Sequence, residues 1–381
     1  MRLAALALLL VGCTERTDLL AGDGGAAMVC SGQGAPVHFG AGGACAATVA
    51  ANTLPRALCS CQSILLPGGL ATSGPMGGMG PGGQAPPQFP GAGVASDGSI
   101  AVVGNVQLGG SLAASGSINF NRTALVGGGL HTGGSLVAST LATVGADAYV
   151  AGDVLGRVAV GGTLHISPTS DVTEMSGDDY NYIVVEDIDI APPCGCADGP
   201  VVDVAALVAA AAKSNGDLAA SLDPAALSDT HGPTSFNLPC GDYYLPSLRS
   251  DDTLEVHVQG RAALFIGGNV SLAQGLRVTL DDGASLDLFV AGDIAVTDGV
   301  LGSGSAVGTR LWSTAQTIEL GSNASLSAIV YAPAAELQGG DGLTATGALF
   351  VGSVQTTGAV NLRFDPGVLD DSACTAATDL R

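Results

Sequence analysis

The sequence predicts a mostly β protein: a parallel β-helix, or β-solenoid, that carries a helical insertion held by disulfide bonds. Hydrophobic residues make up 47% of the 381-residue chain and aromatic residues only 4%, so Val, Leu, Ile and Ala must build the core. The 58 glycines are typical of many short strands joined by tight turns. Related short motifs recur in both halves of the chain, about 20 to 28 residues apart. Together these features favour a column of stacked repeats.

The first residues of the chain predict a targeting signal. A positively charged start is followed by the apolar run Leu3–Val11 and then by Gly12 and Cys13. This order resembles the bacterial lipobox, which implies cleavage before Cys13 and attachment of acyl chains such as palmitate. Residues 1–12 are therefore expected to be a lipoprotein signal peptide. The mature protein would be anchored through Cys13 in the cell envelope, at the outer membrane of a Gram-negative bacterium.

The cysteines other than Cys13 predict a disulfide framework, because an even number in an exported chain favours complete pairing. They are Cys30, Cys45, Cys59, Cys61, Cys194, Cys196, Cys240 and Cys374. The members of each C-x-C pair are too close to bond to each other, so Cys59 and Cys61 should bond elsewhere. We expect Cys240 to bond with Cys194 or Cys196. A zinc site would need C-x-x-C spacing or added histidine ligands, so no metal site is predicted.

The composition divides the chain after the signal into segments of different character. They are a cysteine-containing N-terminal segment (13–66), a Gly/Pro-rich linker (67–93), solenoid rungs (94–168), an insertion (169–253), further rungs (254–366) and a C-terminal tail (367–381).

Within the two solenoid blocks, apolar residues alternate with polar ones as in half-buried strands. Leu254, Val256 and Val258 show this alternation, and Phe265–Val270 resembles Phe289–Ile294, 24 residues later. Units of this size cannot bury an apolar face alone, whereas stacking buries a continuous column. We expect roughly eight rungs and a rod about 40 Å long, at about 4.8 Å per rung. A β-sandwich is the alternative, because its strands also recur with turn signals.

The insertion contains one clear helix, predicted over residues 201–213. Asp198 is the expected cap, Pro200 suits the first turn, and Lys213 lies in the last turn. We expect the helix to pack against the side of the solenoid and to be held there by cysteines.

Several short motifs resemble a bacterial family, namely myxobacterial-type surface lipoproteins with a β-helix-like domain of unknown function. They are Ala57–Cys61, Pro192–Cys196, Leu238–Cys240, Asp287–Asp293 and Tyr331–Pro333. This resemblance implies a surface location and a β-helix, but no reaction. The glycine-paced rungs also resemble bactofilin-type polymer-forming scaffolds, although those are cytosolic and poor in cysteine.

The titratable residues form no recognisable catalytic or cofactor motif. The five histidines are 26 or more residues apart. In rung register, Asp293 is expected beside Asn269 and Asp153 beside Gly129, which makes a polar ladder at a turn. Pairs of carboxylates occur at 178–179, 186–189, 251–252, 281–282 and 370–371. They leave a calcium site or a glycosidase dyad as alternatives to a plain soluble surface.

The formal charge of −22, with Lys213 as the single lysine, excludes nucleic acid as a partner. We therefore expect a non-enzymatic cell-surface lipoprotein with a structural or adhesive role. It would have no catalytic residue and no cofactor, and its partners would be the membrane, through the lipid anchor, and an unidentified surface molecule. The alternatives are a β-helix polysaccharide lyase or hydrolase and a calcium-dependent adhesin.

Overall fold

The chain folds into a parallel β-solenoid, which confirms the predicted class. A computed structural model of the protein describes residues 34–39, 43–74, 92–174, 180–370 and 374. Strands make up 53% of the chain and form about 13 turns. At about 4.8 Å per turn, the rod is on the order of 60 Å long. The expected eight rungs were too few, because segments interpreted as linker and insertion also contribute turns.

The first half of the rod follows helix α1 (Ala46–Thr53) and consists of short strands. They are β1 (Leu58–Ser60), β2 (Ile64–Leu66), β3 (Leu70–Ser73), β4 (Val94–Ser96), β5 (Ile100–Val102), β6 (Val106–Leu108), β7 (Leu112–Ala114), β8 (Ile118–Phe120), β9 (Ala124–Val126), β10 (Leu130–Thr132), β11 (Leu136–Val144), β12 (Ala148–Val150), β13 (Val154–Ile166), β14 (Val172–Thr173) and β15 (Tyr180–Val185).

The second half follows the helices α2 (Val204–Ala211), α3 (Asp217–Ala220) and α4 (Pro224–Leu227). Its strands are β16 (Thr234–Leu238), β17 (Gly241–Leu245), β18 (Leu248–Ser250), β19 (Leu254–Val258), β20 (Arg261–Ile266), β21 (Val270–Leu272), β22 (Gly275–Leu280), β23 (Ser285–Val290), β24 (Ile294–Ser303), β25 (Thr309–Ser313), β26 (Thr317–Gly339), β27 (Gly342–Thr356) and β28 (Ala359–Phe364). Short 3-10 helices lie at Cys196–Asp198, Ala306–Gly308 and Pro366–Leu369.

Turns in the first half have three sides of six residues each. Val94 pairs with Leu112, and Leu112 pairs with Leu130, so each turn takes 18 residues. The predicted repeat of about 24 residues in this half was therefore wrong. A step of 24 equals one turn plus one side, so the similar motifs around Leu112 and Leu136 lie on different sides of the rod. Each side resembles the others because each needs the same buried–outward–buried strand and the same tight corner.

Polar side chains at one corner connect successive turns. The Ser117 hydroxyl accepts a hydrogen bond from the N–H of Ser135 at 3.1 Å, and Ser135 accepts from the N–H of Asp153 at 3.1 Å. The Asp153 carboxylate accepts from the N–H of Asp171 at 2.9 Å. Asp153 thus lies beside Ser135 and not beside Gly129, because the true turn is 18 residues long. Each bond satisfies a backbone donor at the corner, directly before the next strand begins.

The same kind of ladder occurs in the second half, where the expected neighbours are confirmed. The Asn269 amide oxygen accepts from the N–H of Asp293 at 3.0 Å. The Asp293 carboxylate in turn accepts from the N–H groups of Gln316 and Thr317, at 2.9 and 3.0 Å. These carboxylates are structural acceptors and not an acid–base pair.

The two halves are not stacked in chain order. β1 pairs with β4 on one side and with β27 on the other, and β3 lies between β6 and β28 in the same way. We call this junction of β27 and β28 with β1–β3 the seam. The series of strands therefore starts in the middle of the rod, with β1 at the seam, and winds to one end at β15. It then restarts with β16 at the other end and winds back to the seam.

This order requires residues 186–233, the return segment, to pass along the outside of the rod. Its main helix is shorter than predicted, and Asp203 rather than Asp198 caps it, since the Asp203 carboxylate accepts from Ala206 N–H at 3.0 Å. Two further predictions needed correction. β3 lies inside the predicted linker, and β14 to β18 lie inside the predicted insertion.

An aromatic column on one outer side of the second half is buried beneath α2 and Phe39, which precedes α1 in the chain. Its members are Phe265, Phe289, Trp312, Tyr331 and Phe350, with successive ring centroids 4.6, 6.5, 5.8 and 5.2 Å apart. Phe39 meets Trp312 edge-on at 4.9 Å. Because α2 and Phe39 cover it, this outer face becomes a second apolar layer beside the solenoid core.

Among the described residues, no helix is long and apolar enough to cross a membrane.

Candidate functional site

Two parallel disulfide bonds tie the return segment to the rod beside the seam. Cys59 bonds with Cys194 and Cys61 bonds with Cys196, with Cα atoms 5.7 and 5.5 Å apart. The prediction that Cys59 and Cys61 bond outside their own motif is confirmed. The prediction that Cys240 bonds with Cys194 or Cys196 is wrong. Both C-x-C motifs have the same two-residue spacing, so they can bond in register like two rungs of a ladder.

One carboxylate and one guanidinium of the rod bind the backbone of the return segment beside these disulfides. Asp97 accepts hydrogen bonds from the N–H groups of Cys194 and Cys196, at 2.7 and 3.0 Å. Arg56 Nη1 donates to the carbonyl of Pro193 at 2.8 Å. Burial lowers the pKa of Arg56, and the charge of Asp97 opposes this shift. Sequence reasoning missed both residues, since neither belongs to a motif and their role arises from the fold alone.

The remaining cysteines divide between those that the structure describes and those that it does not. Cys45 bonds with Cys374, which joins the segment before α1 to the chain beyond β28. Cys240 is also disulfide-bonded. Cys13, the predicted lipidation site, and Cys30 lie outside the described residues.

A buried ion pair lies beside the aromatic column, on the same outer face of β23 and β25. Arg310 donates from Nε and Nη2 to the two oxygens of Asp287, both at 2.7 Å, and Trp312 Nε1 donates to Asp287 at 3.0 Å. Only 7% of the Arg310 side chain and none of the Asp287 side chain is exposed. Burial opposes the charge of Arg310, but the charge and hydrogen bonds of Asp287 raise its pKa overall. This pair satisfies its own charges and is closed to any outside substrate.

Two histidines in the first half form a stack with a tyrosine. His131, Tyr149 and His165 lie on successive turns, with ring centroids 4.9 and 4.1 Å apart. His165 Nδ1 lies 2.6 Å from Glu186 Oε1 at the start of the return segment. Burial, together with the charge of Arg56, lowers the pKa of His131. Because the ring faces stack on one another, they are unavailable as a platform for a sugar ring.

Two other histidines pair with carboxylates on neighbouring turns. His257 lies 2.8 Å from Asp281, and His231 lies 2.8 Å from Asp251. Both pairs are exposed, and the second belongs to a surface network in which Arg249 lies 3.7 Å from Asp229 and from Asp251. In the part of the chain that the structure describes, no three His, Cys, Asp or Glu side chains converge as metal ligands would.

An open groove of about 630 Å³ lies on the second half, along β22, β24, β26 and β27. Ser325, Thr344 and Thr346 line it, and Ser325 and Thr344 are partners in adjacent strands. Arg277 lies at its edge, 4.0 Å from Glu255. Apolar side chains such as Leu280 and Leu326 make up most of the lining, and the hydroxyl groups and the exposed guanidinium of Arg277 lie among them.

The two ends of the rod differ in how they finish. At the β16–β18 end, α3 and α4 lie against β17, and Leu222 and Leu227 are buried there. At the other end, β15 pairs with β13 and, among the described residues, with no further strand. We call these the capped end and the open end.

The fold and its cross-links define a disulfide-bonded parallel β-solenoid. Residues 197–370, just under half of the chain, match the family described as a domain of unknown function (DUF7305). That range comprises the three helices of the return segment and all strands of the second half. Neither the search of curated proteins nor the search of solved structures finds a match.

Proposed function

We propose that this protein is a non-enzymatic, lipid-anchored protein of the cell envelope that serves as a rigid structural or adhesive rod. The disulfides between segments 135 residues apart carry the proposal. Such bonds persist in exported proteins and are rare in reducing compartments. They support export, and export is what the signal resembling a lipobox before Cys13 predicts. The myxobacterial-type lipoprotein resemblance and an outer-membrane location are part of the same proposal.

The arrangement of the titratable groups supports a role without catalysis. Asp153 and Asp293 each accept backbone hydrogen bonds at the corners through one carboxylate oxygen, Oδ1. Asp287 and Arg310 neutralise each other out of reach of solvent. Each of these groups therefore has a structural role, which supports a function without catalysis.

The point at which the chain enters the rod suggests how the rod is presented. α1 leads directly into β1, and β1 lies at the seam. Before α1 the chain already contacts the rod near the capped end, because Arg261 Nη1 in β20 donates to the carbonyl of Gly34 at 3.1 Å. A tether from Cys13 would therefore reach the rod on its second half, leaving the open end free for contacts. The predicted linker cannot separate the rod from the membrane, because β1, which precedes it in the chain, and β4, which follows it, are partners in the same rod.

Two measurements test the proposal. In a bacterial host, wild-type protein should incorporate labelled palmitate and enter the detergent phase, whereas Cys13→Ala should do neither. A purified sample should show no turnover on a panel of glycans and esters. Turnover that Arg277→Ala abolishes would replace the proposal with a polysaccharide-active enzyme. Surface adhesion that requires calcium would identify the adhesin alternative.

A further inference from the structure

The solenoid core is left uncovered at the open end by the described residues. Ile183 and Val185 continue the core column of Leu164 and Ile166, with which they pair. Leu164 and Ile166 are buried, but Ile183 is 36% exposed and Val185 59% exposed, because no further turn lies above them. A terminal turn of a repeat protein normally has a polar outer surface. This one presents the apolar core itself.

The free edge of β15 is suited to pairing with another strand. Glu186 N–H donates to the carbonyl of Ile166, on the covered side. Since donors alternate along a strand, the N–H groups of Ile183 and Val185 point to the open side. β15 contains no charge and no proline, and Tyr182 on its outer face is 72% exposed. These features mark an edge that lacks the usual protection against an added strand.

The opposite end cannot supply that strand in a head-to-tail chain of copies. There the carbonyl of Asp242 in β17 accepts from Gly216 N–H at 2.6 Å, and Tyr244 N–H donates to Asp217 at 3.0 Å. α3 therefore occupies the outer edge of β17, the strand that shares a side of the rod with β15. If the sides of the rod stay aligned, a head-to-tail copy would therefore meet β15 with an occupied edge. The symmetrical alternative joins two open ends.

Charge argues against that symmetrical contact as well. β15 runs directly into Glu186, Asp187 and Asp189, all exposed. Two open ends would bring two such acidic groups together, on molecules whose formal charge is −22 each. A strand with Lys or Arg at its flank would instead find opposite charge beside the edge.

We infer that the open end is a docking site for an extended segment of a partner protein, which adds to β15 as a further strand. The segment would have alternating apolar residues, to cover Ile183 and Val185, and a basic flank to meet Asp187 and Asp189. This inference rests on the proposed interaction role and names the chemistry of the partner.

The test uses the purified full chain and a fluorescent peptide, Lys-Val-Thr-Val-Thr-Val-Lys. We expect saturable binding that weakens as salt rises, and amide hydrogens of Ile183 and Val185 that exchange more slowly with peptide bound. N-methylation of alternate peptide residues should weaken binding by about tenfold or more, since edge hydrogen bonds are lost while composition is kept. Replacing both lysines with Glu should also weaken it.

Variants of the protein localise the site. Val185→Pro removes one open-side donor without removing a bond to β13, and it should reduce binding. Asp187→Asn with Asp189→Asn should reduce binding and flatten its salt dependence. Leu218→Pro, at an exposed position of α3 on the capped end, is the control and should bind as wild type does. Equal affinity of the N-methylated peptide would overturn the inference, as would a dimer in light scattering that Val185→Pro dissolves. Neither outcome changes the palmitate or turnover measurements, so failure here is distinguishable from failure of the proposed function.

Discussion

From β4 to β12 in the first half of the rod, facing residues lie 18 apart, as in Val94 and Leu112. In the second half the separation ranges from 25 between Gly275 and Val300 to 17 between Gly342 and Ala359. The first half is held by closely stacked corners: a Cβ on Gly104 would lie 2.5 Å from the backbone of Gly68. The second half also buries large side chains on the outer face of its strands, such as Phe289 and Trp312.

This difference teaches that one cross-section can be stabilised in two ways. Uniform turns align backbone groups at every corner, so small residues are sufficient. The second half keeps closely stacked corners, since a Cβ on Gly292 would lie 2.5 Å from the backbone of Gly268. To these corners it adds the aromatic column, the ion pair of Asp287 and Arg310, and the covering helices. The family match, residues 197–370, coincides with this second half and its cover.

Separating the two halves should have the largest effect. Replacing Cys59, Cys61, Cys194 and Cys196 with Ala opens a loop of 135 residues. The expected loss is about 5 kcal/mol of unfolding free energy on the loop-entropy estimate. We also expect calorimetry to show two transitions in place of one, because only strand pairing, the packing of α1 and the Cys45–Cys374 disulfide would then hold the seam.

The matched control removes only Cys59 and Cys194. Cys61 and Cys196 still close nearly the same loop, so this variant should lose about 1 kcal/mol or less in urea unfolding. If the control lost about half as much as the four-cysteine variant, the two disulfides would act independently and this prediction would be wrong.

The second half should be vulnerable at its buried charge. Asp287→Ala leaves Arg310 charged and unpaired in the interior, which should cost about 3–5 kcal/mol in urea unfolding. Glu255→Ala breaks the exposed contact with Arg277 on the same half and should cost about 1 kcal/mol or less. If Asp287→Ala were as mild as Glu255→Ala, the aromatic cover would not exclude water from the pair.

The first half should be vulnerable at its corners, by a smaller amount. Ser117→Ala leaves the N–H of Ser135 without its acceptor and should cost about 1–2 kcal/mol. Ser117→Asp supplies an acceptor like that of Asp153 two turns away, and should recover part of the loss. A milder effect of Ala than of Asp would mean that the corner depends on space rather than on the hydrogen bond.

The features predictable from sequence were those that a single strand displays. The alternation at Leu254, Val256 and Val258 sufficed for the fold class, and the resemblance of two motifs sufficed to place Asp293 beside Asn269. The order of the halves was not predictable, because it depends on which distant strand meets β1. The length of a turn in the first half could not be recognised in the sequence, because the three sides of each turn have similar residues.

The disulfide pairing was predictable from the sequence only in part. Cys59 and Cys61 match Cys194 and Cys196 in spacing, and this match indicates two bonds in register. Cys240 was predicted to bond with Cys194 or Cys196 only because these cysteines are neighbours in the order of the sequence. The docking role of Asp97 left no sequence signal, since one carboxylate in a turn looks like any other until the loop is placed over it.

The capped end should respond to pH, and this is the smallest effect that we predict. Asp217 is 6% exposed, and its burial raises its pKa above the ordinary value of 3.8, although the hydrogen bond from Tyr244 N–H opposes the shift. Between the pKa of the unfolded chain and the higher pKa of the folded chain, the folded state binds more protons. The unfolding free energy must therefore fall as pH rises through that window, and stay lower above it. Asp217→Asn keeps an oxygen that accepts from Tyr244 but cannot ionise, so its urea-unfolding curve should lack this decline and should exceed wild type above the window. A decline of equal slope in the variant would show that other carboxylates control the acid response of this end.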